Sequence, residues 1–400
     1  MKINLKRQLC ILLLMVVPLI DSTHAVEVPS VFFNNVRVFD GFNAELVESV
    51  DVLVEGNKIT AIGDALNAPE SALIINGQGK TLMPGLIDAH WHSMFSTLSL
   101  QKLLYSDIGY LNINAAKANE SALMRGFTSV RDVGGNVFAL KQATDEGLVA
   151  GPRIYPSGPS ISQTSGHGDL RPVNAVPSDP HAPLDYLQRS AQTLIADGVP
   201  EVIKRSREVL RMGASQLKVM AGGGVSSSYD PLDVTQYTFA ELQAIVQEAS
   251  NWNTYVTVHA FTDEAVQQAI RAGVKSIEHG MLLSADTLEL MSKENVWLSM
   301  QPILNDEDAI PFPDPALRAK YVIATEGTEN VYRMTQQYDV KVAWGTDTLF
   351  DSALAAKQGK MLAKLNRWFS PYQILRMATY DNAQLLKLSG PRDPYPGELG

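Results

Sequence analysis

From about Leu82 onward the chain alternates short apolar runs with helical stretches, and this alternation constrains its fold more than any other feature. The runs are Leu82 to Ala89, Thr128 to Val133, Arg153 to Ser157, Gln216 to Met220, Tyr255 to His259, Ser276 to Glu278, Val296 to Met300 and Lys341 to Trp344. Strands buried on both faces read as such continuous runs, and strands separated by helices pair in parallel. Eight of them is the count that closes a (β/α)8 barrel, which carries its functional residues at the C-terminal ends of the strands. The intervening stretches have helix punctuation. Thr238-x-x-Glu241 is a capping box, Ser370-Pro371-x-Gln373 joins a cap to a first-turn proline, and Gly273 and Gly390 stand where helices should stop. Two connections, Pro156 to Pro200 and Pro302 to Pro315, are too long for turns and should lie over the functional face.

The segment before the barrel differs. Asp51 to Val54 and Lys58 to Ile62 flank Glu55-Gly56-Asn57, a hairpin signal, and Val31 to Val38 and Ser71 to Ile75 are further strand candidates, so residues 26–80 form a β-rich module. Residues 1–25 read as a signal peptide. Lys2, Lys6 and Arg7 make a basic start, Leu9 to Ile20 an apolar run too short to span a bilayer, and Thr23-His24-Ala25 a small-residue cleavage signal. The protein is therefore expected to be exported, periplasmic or secreted, with no membrane span after cleavage. The one cysteine, Cys10, lies in that leader, so neither disulfides nor a cysteine zinc site can be built. A net charge of -10 without long basic runs argues against a nucleic-acid partner.

His90-Trp91-His92 follows the first barrel run directly, and side chains two apart on a strand share a face, so both imidazoles can reach one metal ion. His259 ends the run from Tyr255, His279 follows Ile277-Glu278, and Asp347 follows Val342 to Gly345. Four of the seven histidines thus stand at predicted strand ends. Lys218 sits inside Gln216-Leu217-Lys218-Val219-Met220, where a lysine is rarely buried without a function. Its amine can add carbon dioxide and become an anionic carbamate that bridges two cations; the alternative is a stem that crosses the rim with its head in water. Gly222-Gly223-Gly224 lacks the Lys-Ser/Thr of a phosphate loop and reads as a mobile segment near substrate. Arg131-Asp132 reads as a structural ion pair.

The set Asp88-Ala89-His90-Trp91-His92, Lys218, His259, His279 and Gly345-Thr346-Asp347, with Ser162 to Asp169 and Ile277 to Gly280, resembles the amidohydrolase superfamily. Within it, the pattern is similar to the imidazolonepropionase-like branch, which includes exported prolidase-like and carboxypeptidase-like dipeptidases. The resemblance implies a (β/α)8 barrel over residues 81–390 and a small β-sandwich begun by residues 26–80 and rejoined from residues 391–400. An unfinished sandwich would leave strand edges that favour homo-oligomers.

The resemblance also implies roles. His90 and His92 would bind the more buried of two divalent metal ions, His259 and His279 the more exposed one, and carbamylated Lys218 would bridge them. Zinc is the default with such ligands. The ions would activate a bridging water and polarise the scissile carbonyl, while Asp347, also a ligand, would take the water's proton and deliver it to the leaving amine. His167 and Tyr237 occupy the positions that hold the substrate's free carboxylate in prolidase-like members. The implied reaction is amide hydrolysis in dipeptides or N-acyl amino acids, extending to ochratoxin-like aromatic amides. Two other readings stay open: a mononuclear deaminase or cyclic-amide hydrolase of the same superfamily, and a non-catalytic exported binding protein.

Overall fold

The computed structural model describes residues 30–177, 179 and 181–397. The leader expected at residues 1–25 and part of the return expected at 391–400 lie outside them. The described residues make an α/β fold that divides into two compact units, residues 30–39 with 45–82, and residues 40–44 with the described residues from 83 onward.

In the smaller unit, Ser30–Val38 pairs antiparallel with Val47–Glu55, which turns back at Gly56-Asn57 into Lys58–Gly63. The hairpin forms where the sequence places it, because Gly56 takes positive φ. Leu73–Asn76 runs parallel to the first strand on its other side. Val36, Val38, Val50 and Val52 make the apolar core of this sheet.

The larger unit carries two parallel sheets. Leu86–Trp91, Phe127–Asp132 and Arg153–Pro156 form one. Leu217–Met220, Val256–Ala260, Ser276–His279, Trp297–Met300 and Val342–Trp344 follow one another through the second. Each of the eight predicted runs is thus a strand, shifted by a few residues at most. Hydrogen bonds link the two sheets at two places: the Ser215 N–H, just before Leu217–Met220, donates to the Pro156 carbonyl at 2.7 Å, and the Asp347 N–H, just after the last strand, to the His90 carbonyl at 2.8 Å. Gly345 is required at the second place, since a Cβ there would fall 2.3 Å from the His90 nitrogen.

Both expected capping boxes are present, at Thr238 and Ser370, each satisfying two otherwise unpaired backbone donors. Gly273 ends its helix in the left-handed conformation. The connection from Pro156 to Pro200 is not a plain loop. Ser160–Ser162 and Thr193–Ile195 pair in parallel within it and extend the second sheet. The connection beginning at Pro302 leads into the helix Pro315–Gln337. No helix among the described residues is long and apolar enough to cross a membrane.

Candidate metal centre

Strand ends bring the expected ligands together. His90 and His92 extend the first strand of the larger unit, and both Nε2 atoms lie 3.2 Å from Asp347 Oδ1. His279 Nδ1 is 3.7 Å from Asp347 Oδ2. Donor atoms of His90, His279 and Asp347 fall within 4.8 Å of one another. His279 and Asp347 both adopt positive φ, at 76° and 49°, where the chain turns sharply off a strand end and aims the side chain inward. Lys218, 2% exposed, and His259 open onto the same cavity, His259 with its ring centroid 4.5 Å from that of His279.

One ring nitrogen of each of three histidines is held by a neighbour. His90 Nδ1 donates to Glu278 Oε2 at 2.7 Å and His279 Nδ1 to Gln301 Oε1 at 2.8 Å, which leaves Nε2 of each as the free donor atom. His259 Nε2 donates to the Gly223 carbonyl at 3.0 Å, leaving Nδ1. Burial depresses His92 to about 4 and His279 to about 3, and His259 lies well below its ordinary value for the same reason. These rings are therefore neutral at ordinary pH, as ligation of a cation requires. Burial would also lower His90, but the charges of Asp347 and Glu278 carry it upward. Burial would raise Asp347, and His90 more than offsets this, so it stays ionised. An ionised carboxylate beside several neutral imidazoles is a donor set that fits divalent zinc.

Lys218 is pushed down to about 8 by burial, against the attraction of Glu278 and Asp347. Among the described residues no carboxylate stands within ion-pair distance of it. A buried amine that gives up its proton this readily is a nucleophile near neutral pH.

Three residues around the cluster were not assigned such roles by sequence reasoning. Asp88 accepts from the backbone of His90 and Thr346, the Thr346 hydroxyl and Gln358, and so pins the first strand of the larger unit to the last. Glu278 and Arg131 form a fully buried ion pair at 2.6 Å, with the Thr257 and Ser276 hydroxyls also donating to Glu278. The expected Arg131–Asp132 pair does not form, because neighbouring residues on a strand point to opposite faces. Arg131 turns inward to Glu278 and the Ala89 carbonyl. Asp132 accepts from the Ser93 N–H and is pushed up to about 7 by burial. The charged residue beside His279 in Ile277-Glu278-His279 was the signal available.

The two expected substrate contacts part company. His167 lines the cavity and stacks on His259 at 4.1 Å and 12°. Tyr237 does not line it. Its side chain is buried in the core and its hydroxyl donates to the Ala196 carbonyl at 3.0 Å, which corrects the expectation that it meets substrate. The cavity, of about 330 Å³, is walled mainly by apolar side chains, among them Phe95, Leu170, Phe261, Ile310 and Phe312. The glycine segment is packed rather than loose: a Cβ on Gly224 would fall 2.1 Å from the His167 ring.

Comparison with known proteins agrees with this geometry. The model of the family described as "Amidohydrolase family" matches residues 81–391. The chain is 28% identical to an ochratoxinase of Aspergillus niger over 414 aligned positions, covering 95% of this chain and 80% of that protein. A solved prolidase complexed with N-methylphosphonate-L-proline superposes with a TM-score of 0.82 at 33% identity, over 90% of this chain and 88% of the other. A Xaa-Pro dipeptidase with bound methionine gives 0.78 at 25% identity, over 90% and 89%.

Proposed function

The chain belongs to the amidohydrolase family and is a hydrolase of C–N bonds, and from that premise we propose that it cleaves the amide bond of dipeptides or N-acyl amino acids with bulky apolar groups, using two divalent ions. The convergence of four strand-end histidines, Asp347 and a buried, low-pKa Lys218 on one apolar cavity carries this reading. The two hydrogen-bonded links between the parallel sheets favour reading them as one closed (β/α)8 barrel with the centre at its C-terminal mouth. The N-terminal sheet is read as part of a sandwich, and the leader as an export signal.

His90, His92 and Asp347 would hold one ion and His259 and His279 the other. Lys218, having added carbon dioxide and released a proton, would reach both. The ions would supply electrophilic activation of the carbonyl and a more acidic attacking water. Asp347 accepts that water's proton on a carboxylate oxygen, then returns it to the amine as the C–N bond breaks; one carboxylate serves because the transfers are sequential. His167 receives the substrate's free carboxylate beside His259. The apolar walls exclude water and accept aromatic or branched acyl groups, in keeping with relatives named ochratoxinase and prolidase.

One observation favours a mononuclear variant: among the described residues, the donor cluster within 4.8 Å is made by His90, His279 and Asp347, while His259 is turned toward Gly223. A screen of Xaa-Pro, Xaa-Arg/Lys and N-acyl amino acid substrates with zinc-reconstituted protein, read together with metal stoichiometry, tests both. Amino acid release with about two ions per chain supports the proposal, whereas ammonia release or a single ion overturns it.

A further inference from the structure

His167 alone of the two expected carboxylate contacts reaches the cavity, and the way it is held has a structural basis that the reaction does not explain. Its Nδ1 donates to Asp230 Oδ2 at 3.0 Å, its backbone N–H donates to Gln236 Oε1 at 3.0 Å, and Ser226 Oγ stands 3.4 Å from its Nε2. Asp230 is 1% exposed, and its Oδ1 has no hydrogen-bond partner among the described residues. It belongs to residues 224–230, which form neither helix nor strand and which cross the ring of His167 at Gly224.

One side chain gathers this segment. Lys320, on the second turn of the helix Pro315–Gln337, donates to the carbonyls of Gly224 at 2.7 Å, Ser227 at 2.5 Å and Asp230 at 2.8 Å. An ammonium has three protons to donate, and here all three go to one stretch of backbone. No carboxylate stands within ion-pair distance of Lys320 among the described residues. Its helix follows directly from the segment containing Ile310 and Phe312, which line the same cavity as Ser226.

We infer that Lys320 is a positioning residue for substrate recognition: by drawing together the carbonyls of Gly224, Ser227 and Asp230 it places the Asp230 carboxylate where it orients His167 toward the substrate's free carboxylate. This inference rests on the proposed reading of His167 as the carboxylate contact. Lys320 and Asp230 do not touch the reacting atoms. They fix the position and the tautomer of the ring that receives the substrate, and they tie the segment carrying Ser226 to the helix that follows Ile310 and Phe312.

The test compares zinc-loaded wild type with Lys320→Met, which keeps the stem and removes the donors, and with Lys320→Arg. The first readout is the rate of chymotryptic cleavage after Tyr229, which is exposed within this segment. The second is kcat and KM for an N-acyl amino acid and for its C-terminal carboxamide, with zinc content measured alongside. Lys320→Met is expected to be cut faster after Tyr229 and to lose on the order of 10- to 100-fold in kcat/KM for the free acid, mainly through KM. The carboxamide, which lacks the recognised charge, should change little, and zinc content should stay at the wild-type value. Lys320→Arg should recover part of both losses. Unchanged cleavage in Lys320→Met overturns the clamp, whether or not the protein hydrolyses any amide. Faster cleavage with an unaltered acid-to-carboxamide ratio overturns the positioning role. If wild type neither cleaves nor binds any free acid, the substrate reading and the role that rests on it fall together, and the clamp still stands or falls on the proteolysis alone.

Discussion

Glu278→Gln separates what the buried polar cluster does for stability from what it does for metal binding. Glu278 and Arg131 are both fully buried, joined at 2.6 Å, and Glu278 also accepts from His90 Nδ1 at 2.7 Å. Burial alone would raise the pKa of Glu278, but Arg131 and His90 hold it well below the usual carboxylate range, so the group is an anion in the fold. Removing one member of such a pair leaves an uncompensated buried charge, which costs about 3–5 kcal/mol. The glutamine oxygen can still accept from Arg131, but its NH2 then faces His90 Nδ1 and favours the tautomer that accepts there. That tautomer puts its proton on Nε2, the atom aimed at Asp347 Oδ1. Loss of a carboxylate that orients a ligating histidine lowers metal affinity by about 10–100-fold. Urea unfolding of metal-free protein reads the first effect, and competition for zinc against a chelator reads the second. Arg131→Met combined with Glu278→Gln removes the stranded cation and should recover most of the stability while leaving zinc affinity low. A single variant that unfolds within about 1 kcal/mol of wild type and holds zinc as tightly would refute the reasoning, as would a double variant in which both properties return.

Four further outcomes follow from the site. Asp347→Asn keeps a side chain that tolerates positive φ, so the protein should fold while kcat falls on the order of 10²–10⁴-fold; wild-type turnover in a well-folded variant would exclude Asp347 as the proton carrier. His92 and His279 are depressed by burial to about 4 and about 3, so between pH 6.5 and about 4 the unfolded chain binds protons that the folded protein does not. Stability of the metal-free protein should therefore fall as pH drops from 6.5 toward 4, and a flat urea midpoint over that window contradicts the burial argument. Lys218, lowered to about 8, works in the same direction at higher pH: between about 8 and 10.5 the unfolded state binds more protons, so stability should rise with pH, by about 3 kcal/mol at most, and this rise should be missing in Lys218→Met. Such an amine is neutral far more often near neutral pH than an ordinary lysine; carbon-13 bicarbonate should accordingly give a carbamate NMR signal in wild type that Lys218→Met lacks.

The strands and the ligand cluster were legible for the same physical reason. A parallel strand buried on both faces must be a short apolar run, so a histidine, lysine or aspartate that interrupts or ends one stands out, as His90, Lys218, His259, His279 and Asp347 do. The residues that support those ligands were not legible, because their partners are far away in sequence. Arg131 and Glu278 are 147 positions apart, and His90 and Glu278 are 188 apart. Adjacency in the chain suggested Arg131 with Asp132, yet the alternation of a strand sends them apart. Tyr237 misled for a related reason: a tyrosine just before a capping box can lie toward the cavity or beneath the helix, and the Ala196 carbonyl within its reach decides the matter. The short strands Ser160–Ser162 and Thr193–Ile195 were hidden in a segment whose prolines and glycines read as loop.

The molecule divides the work between frame and segments, and the division sets what substitutions in each can do. The expected histidine and aspartate ligands stand at or just beyond strand ends, and two of them, His90 and Asp347, are fixed to each other by main chain as well, with Gly345 allowing the approach. No side chain at position 345 can be accommodated without moving the His90 backbone, so a substitution there should act on turnover and metal content rather than on substrate choice. Part of the cavity wall comes instead from residues within 160–170, 187–193, 225–226 and 303–312, in segments held by side-chain bonds such as those of Lys320, Asp230 and the Asp308–Lys357 pair at 2.9 Å. Such bonds can be exchanged without disturbing a strand. Changes of substrate among proteins with this centre should therefore appear first in KM and in these segments, while the strand-end ligands keep the chemistry constant.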